Sequence, residues 1–374
     1  MPGSGADLPG LSGDRPDQGS GVPVPFSDTA PVTEDTAPGG LELCAADGAC
    51  GCADQFPAVD VVIPVFDAVD HIADCVASLA CLTPRPRRVI VVDDCSTDDS
   101  GVVAVAALTA VGLAATLIRQ PERRGPGAAR NRGLAAVTAP LVWFVDADDT
   151  VAPDALRILL SALGPHDFAV CRTTLVGAAG QVIGVDEAPP PAAMLTGPEY
   201  AHLLITGRAR AYAPTKLFRR AALPARPWDE VRRYEDLAAM VALALAARTV
   251  ALVPDAPYHY RRHGGSASLR FDPASFELLA MPQRVLDRMT AANAAPAPAV
   301  AAEFVLRESV LPLAHLAMRA GQAPDRARAI AAARARIRRT DLMLLARAGR
   351  WRLALTAAAL RFCPVGYAQI LRFR

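Results

Sequence analysis

The first 55 residues carry no organised pattern of apolar positions, and from Val59 onward the pattern is regular. Residues 1–55 are rich in Gly, Pro, Asp and Ser. Such a segment cannot bury enough apolar surface to offset chain entropy, so it reads as a disordered tail. Val59–Phe66 (VDVVIPVF) is then a nearly continuous apolar run, the pattern of a strand covered on both faces. Ile72, Cys75, Val76 and Leu79 follow at i, i+3, i+4 and i+7, one face of a helix. Arg88–Val92, Ala114–Ile118 and Leu141–Val145 predict three further strands. Between and after them come three helices. One is capped by Ser96 or Thr97 and runs through Leu108, with Asp98 and Asp99 in its first turn; the others are Gly127–Val137 and Pro153–Leu163.

Strand and helix alternating four times predict an α/β fold with an open, mostly parallel sheet. Right-handed crossovers place its helices on both faces. The second half of the chain is less regular. Phe168–Leu175 and Gln181–Val185 read as a hairpin around Gly177, and a helix is expected from Tyr234 to Ala247. After Pro273 the pattern is helical to the end, punctuated by Pro312, Pro324 and Pro364. The expected division is a tail at 1–55, an α/β domain at 56–270 and a helical region at 271–374.

Composition narrows the function classes. A net charge of +1 gives no reason to expect a nucleic-acid partner. The charge is unevenly placed, however: Arg15 is the only basic residue among the first 50, whereas Arg319–Arg374 holds thirteen arginines against Asp325 and Asp341. A basic C-terminal surface could face anionic lipid or an anionic acceptor; a solvated helical face is the plainer reading and the favoured one. Cys44, Cys50 and Cys52 cluster in a tail without histidine, and the other cysteines are scattered. That is neither a disulfide framework nor a zinc knuckle, and it fits a reducing, cytoplasmic compartment. The N-terminus lacks the regions of a signal peptide, and Leu237–Ala247 is too short to span a bilayer. A soluble protein is expected, at most peripheral at the inner face of the membrane.

Ligands of open parallel sheets bind at the carboxyl ends of the strands. Here the first strand ends in Pro64-Val65-Phe66-Asp67, the second in Asp93-Asp94-Cys95-Ser96 and the fourth in Asp146-Ala147-Asp148-Asp149. Three carboxylates in four positions repel one another unless something positive sits among them, and a divalent cation carrying diphosphate oxygens would resolve that. Asp149, followed by Pro153 and Asp154, reads instead as the chemistry of a helix start. Glu235 and Asp236 taken alone are equally an acidic first turn of a helix. No G-x-G-x-x-G follows the first strand, which argues against a dinucleotide dehydrogenase. IPVFDAVDH is neither glycine-rich nor basic, which argues against a sugar-phosphate nucleotidyltransferase.

The ordered set IPVF, VVDDCSTDDS, GPGAARNRGL and FVDADD resembles the family 2 glycosyltransferases of the GT-A, Rossmann-like fold. The resemblance is strong over Val59–Leu163 and weaker through Lys216–Arg219, Tyr234–Leu237 and Tyr258–Ser268. It implies inverting, metal-dependent transfer of a sugar from a nucleotide-diphosphate donor, with a UDP-sugar as the default. The acceptor would be a hydroxyl on a glycan, a lipid-linked saccharide or a small molecule, in bacterial cell-surface polysaccharide synthesis or a related pathway.

Carried onto this chain, the resemblance has Pro64 line the nucleobase pocket and Asp94 accept a hydrogen bond from the base. Asp146 and Asp148 match the outer residues of the DxD motif; Asp146 would face the ribose or metal-bound water, and Asp148 would hold Mn2+ or Mg2+. Arg130 would position the donor or the DxD loop, with a helix-surface salt bridge as the alternative. Asp236 matches the base that takes the proton from the acceptor hydroxyl. His263 would be a metal or phosphate partner, although a lone surface histidine is the favoured reading. Two positions depart from the family pattern: Cys95 stands where Gly is usual, and would be strained if that residue needs φ > 0, and Asp67 replaces the usual Asn. A catalytically inactive nucleotide-sugar-binding relative is the alternative outside catalysis; the presence of Asp148 and Asp236 argues against it.

Overall fold

A computed structural model of the chain describes residues 56–262, 270–321 and 323–367. The expected tail with Cys44, Cys50 and Cys52, and the segment holding His263, Ser266 and Ser268, lie outside the described residues.

The apolar run at the start of the ordered pattern is β1 (Val59–Val65), and it lies at the centre of the fold. It pairs in parallel with β2 (Arg88–Asp93) on one side and β4 (Leu141–Phe144) on the other; β3 (Ala115–Arg119) lies parallel outside β2. Side chains alternate across a strand, so β1 serves two cores. Val59, Val61, Ile63 and Val65 pack with α1 (Ile72–Ala80), α2 (Ser100–Ala110) and α4 (Ala155–Leu163). Val62 packs on the opposite face with Ala129 and Leu134 of α3 (Pro126–Leu134). Helices therefore cover both faces, as the uninterrupted apolar strands required.

Beyond β4 the sheet changes character. β10 (Lys216–Arg219) inserts antiparallel between β4 and β6 (Phe168–Val170), followed by β11 (Thr249–Leu252) and β9 (Met194–Thr196). The order is β3-β2-β1-β4-β10-β6-β11-β9, with four parallel and three antiparallel pairings. A second sheet contains β5 (Thr150–Val151), β12 (Tyr258–Arg261), β7 (Thr173–Val176) and β8 (Val182–Val185), in that order.

Several local expectations are corrected. The run Phe168–Leu175 is not one strand: the chain leaves the main sheet after Val170 and enters the small one at Thr173. Arg172 is held at the break by the carbonyls of Glu187 and Pro254. Only β7 and β8 form the hairpin. Ser96 and Thr97 do not cap α2, which begins at Ser100. Thr97 instead donates from its backbone and hydroxyl to Asp67, and the Ser96 backbone donates to Asp93. Unforeseen was α5 (Gly197–Ile205), although its start carries a capping box in which Thr196 and Glu199 satisfy each other's backbone N–H.

The remaining helices are α6 (Asp236–Ala246), α7 (Met281–Ala291), α8 (Pro298–Val305), α9 (Leu311–Arg319), α10 (Arg326–Arg336), α11 (Arg339–Arg347) and α12 (Trp351–Phe362). Met281, Val285, Met289 and Phe304 join the core beneath the main sheet, whereas Val310, Leu313, Ala329, Leu345, Leu353 and Leu360 build a separate core of helices. Among the described residues no helix is long and apolar enough to cross a membrane.

Candidate active site

The site forms where β1, β2 and β4 end side by side. After β1, Asp67 adopts φ 46° and accepts from the Thr97 backbone N–H at 2.7 Å, which ties the first strand's loop to the second's. Cys95 has φ 62°, so the position does adopt the left-handed conformation that its usual glycine would take without strain. Pro64 lies within β1 opposite Val92 and is partly exposed. Phe66, just beyond, carries the Arg123 guanidinium 3.6 Å from its ring centroid.

Asp94 is buried and heavily engaged. One carboxylate oxygen accepts from the Gln120 side chain at 2.7 Å and the Arg124 backbone N–H at 2.8 Å; the other accepts from the Gly125 N–H at 2.7 Å. It thereby fixes the loop that leads into α3. Two glycines of that loop are there for close approach. A Cβ on Gly125 (φ 95°) would collide with the Val231 carbonyl, and one on Gly127 with the Asp229 carbonyl. The segment leading to Asp236 can therefore lie against the start of α3.

Arg130 is not on the surface of α3: it is 3% exposed. One terminal nitrogen donates to Glu235 at 2.6 Å and Asp236 at 2.9 Å, and the other donates to Asp146 at 2.8 Å. A single guanidinium thus joins the end of β4 to the start of α6, over a separation of 106 residues between Arg130 and Asp236. Asn131 beside it exchanges two hydrogen bonds with the Trp228 backbone. From the other side, Arg284 and Arg288 of α7 pair with Asp229, and Glu277 accepts from the Arg232 and Arg233 backbone. Tyr234, directly before the acidic pair, is held at φ 59°, a conformation uncommon for a bulky residue and stored here next to the candidate base.

Carboxylates crowd this space. Burial pushes the Asp236 carboxyl up to about 7, helped by Glu235 and Asp146 and opposed by Arg130 and Lys216. Asp146 is likewise raised by burial, then by Asp148 and Glu235, against Arg130. Asp148 is partly exposed. Lys216 is fully buried in β10, and burial draws its ammonium down to about 8. It donates to the Arg210 and Tyr212 carbonyls and to the Thr215 hydroxyl, each at 2.7 Å.

Asp149 corrects its expected role as a helix-start residue. The residue at the N-cap position of α4 is Asp154, whose side chain makes no cap hydrogen bond, whereas Asp149 is buried, accepting from the Tyr258 hydroxyl at 2.6 Å and the Arg261 backbone at 2.8 Å. Burial, Asp148 and Asp146 raise its carboxyl well above the usual range. Asp149 so ties β12 of the small sheet to the turn that follows β4. Sequence reasoning missed this pair, because nothing local links residues 109 positions apart.

Among the described residues no three His, Cys, Asp or Glu side chains are arranged to hold a metal by themselves. The acid-rich, all-oxygen end of β4 nevertheless fits a hard divalent cation that takes its remaining ligands from a diphosphate. Asp146 and Asp148 both lie at that end and are partly exposed.

Residues 60–224 match the family model described as Glycosyl transferase family 2. The chain carries a family 2 glycosyl transferase domain. Pro64, Asp94, Arg130, Asp146 and Asp148 fall inside the matched segment; Asp236 falls beyond it and reaches the site through Arg130. Relatives include the putative glycosyltransferase EpsH of Bacillus subtilis, 28% identical over 230 residues, which are 60% of this chain and 66% of that one. The succinoglycan biosynthesis protein ExoU of Rhizobium meliloti is 42% identical over 121 residues, 32% of this chain and 34% of that one. The chain therefore matches just under two thirds of the first relative's length and a third of the second's. A solved structure of S. aureus TarS 1-349 in complex with UDP-GlcNAc superposes with a TM-score of 0.57, covering 81% of this chain and 91% of that one at 20% identity. That likeness establishes the GT-A fold for the family 2 domain.

Proposed function

We propose that the protein is an inverting, metal-dependent glycosyltransferase using a nucleotide-diphosphate sugar, a UDP-sugar by preference. The observation that carries this reading is the Arg130 bridge, which sets the Asp236 carboxylate beside the Asp146–Asp148 turn. An upward-shifted carboxyl near neutrality is suited to accept a proton from an attacking hydroxyl. Asp236 takes that proton as the acceptor oxygen attacks the anomeric carbon opposite the leaving diphosphate, so the configuration inverts and no covalent intermediate is needed. A Mn2+ or Mg2+ ion held by Asp148 would supply charge to offset that developing on the diphosphate. Pro64 lines the nucleobase pocket, and Asp94, with three donors already on its two oxygens, has room for one more from the base. Arg130 keeps Asp146 and Asp236 in register.

The catalytic domain is assigned to 56–270, braced by the helical region 271–374 through Glu277, Arg284 and Arg288. The UDP-GlcNAc bound in the TarS structure and the polysaccharide role in the name of ExoU support a UDP-sugar donor and a cell-surface glycan or glycolipid acceptor.

Transfer and donor hydrolysis by the purified full chain, with Mn2+, Mg2+ or EDTA, test the proposal. Turnover is expected only with metal. Asp236→Asn should lower kcat by about 10²–10⁴-fold with donor binding retained, and Asp148→Ala should weaken metal-dependent donor binding. Failure to bind any nucleotide sugar in the presence of metal would overturn the reading.

A further inference from the structure

One face of α12 is apolar and uncovered by the other described residues. Trp351, Leu355 and Phe362 are 60%, 67% and 60% exposed, while Leu353, Ala354, Ala357 and Leu360 on the other side close the helical core. At 100° per residue, Trp351, Leu355, Ala358 and Phe362 fall within about 60° of one another, a single stripe along the helix. Val365, just past its end, is also exposed, as is Met343 on α11. Arginines flank these residues. Arg352 lies to one side of the stripe, and Arg361 to the other with its guanidinium 5.5 Å from the Phe362 ring centroid. On α11, Arg339 and Arg347 stand four residues either side of Met343 and share its exposed face.

The charge at this end of the molecule is one-sided. Exposed Arg336, Arg339, Arg347 and Arg352 have no carboxylate within ion-pair distance among the described residues, and the nearby Asp341 is buried under Arg338. A second copy docking through the same face would set arginine against arginine, because a two-fold contact pairs a patch with itself. An apolar stripe bearing Trp and Phe, bordered by guanidinium groups, matches the interface of an anionic bilayer: rings and Leu enter the acyl boundary and arginines meet the headgroup phosphates.

We propose that α12, with the adjoining face of α11, docks the protein on an anionic membrane surface. This is independent of the catalytic reading; it would bring the site close to lipid-linked acceptors.

The chain carries its own reporter. Of its three tryptophans, Trp143 and Trp228 are buried and Trp351 is exposed, so a change in tryptophan emission on docking reports on α12. Vesicles of phosphatidylcholine with phosphatidylglycerol, added to the full chain at low salt, are expected to shift the emission to the blue, protect it from acrylamide and float with the protein. Pure phosphatidylcholine vesicles should do so weakly. Leu355→Ser/Phe362→Ser keeps the reporter and should weaken partitioning about tenfold or more; Arg347→Gln/Arg352→Gln should weaken it several-fold and flatten its salt dependence. All four positions are exposed, so unchanged circular dichroism and thermal unfolding would show that these variants still fold. The proposal is overturned if anionic vesicles leave emission and flotation unchanged, or if neither double variant alters binding. It is equally overturned if Trp351 is already shielded without lipid. A doubled mass in solution would then identify a second copy as the occupant, and an unchanged mass the chain's own acidic N-terminal segment.

Discussion

Two strand ends in this molecule gather acids, and they treat them differently. At the end of β2, Asp94 is met by two backbone N–H groups and the Gln120 amide, and Asp93 by the Ser96 N–H and, at 3.5 Å, Arg119. Backbone dipoles and neutral donors satisfy Asp94, Asp93 has the exposed Arg119 in addition, and both carboxylates serve as clamps on the neighbouring loops. At the end of β4 and the facing start of α6, Asp146, Glu235 and Asp236 share one guanidinium, and Asp149 leans on a tyrosine hydroxyl. Burial raises Asp146, Asp149 and Asp236 together. At the first strand end fixed donors meet each carboxylate, with one acceptor position left on Asp94, whereas at the second three carboxylates depend on a single guanidinium. The presence of acids at a strand end therefore does not by itself set their chemistry; the number of fixed donors around each carboxylate does.

The largest effect should come from removing the cation at the second end. Arg130→Met leaves three carboxylates facing one another in a buried space, and is expected to abolish transfer and cost about 3–5 kcal/mol in urea unfolding. Asp94→Asn at the first end should cost only about 1–3 kcal/mol, because one of three donors loses its acceptor. Equal losses from the two substitutions would erase the distinction.

Titration sharpens it further. Transfer should rise with pH as Asp236 ionises, half-maximal near pH 7, and level off above. Stability should move the opposite way. The folded carboxyl sits above its ordinary 3.8, so the native state holds the proton more tightly than the unfolded chain. That stabilisation is complete below about pH 4 and is lost as pH rises through about 7. Asp236→Asn should therefore unfold at higher temperature than the parent at pH 8, while the difference vanishes at pH 4. A pH-independent difference would mean that Asp236 does not carry the shifted proton.

The smallest effect belongs to the first end. Cys95 occupies φ 62°, and Cys95→Gly is expected to gain about 1 kcal/mol by relieving left-handed strain, with transfer unchanged. Thermal unfolding of that variant beside the parent checks it.

The parallel half of the fold was legible because its signals are local. VDVVIPVF shows a strand buried on both faces, and the i, i+3, i+4, i+7 spacing from Ile72 shows a helix. Later strands are short and apolar on both sides of their breaks. Periodicity could not divide Phe168–Val170 from Thr173–Val176, nor show that β10 runs antiparallel between strands remote in sequence. At the site, the DxD turn and the Glu235–Asp236 pair were visible as types and spacings. The role of Asp149 was misread, because a proline and an acid close behind it suggested a helix start, while its real partner Tyr258 lies 109 residues away on β12.

The sequence by itself determined where strands and helices alternate, which strand ends carry acids and which family pattern they follow, all consequences of side chains a few residues apart. Only the tertiary structure decided that Arg130 is buried, that it holds Asp146 and Asp236 together, and that α12 turns Trp351, Leu355 and Phe362 outward. Those outcomes depend on which surfaces pack against each other across the chain. Burial and the sharing of a charge are properties of that packing, and no window along the sequence contains them.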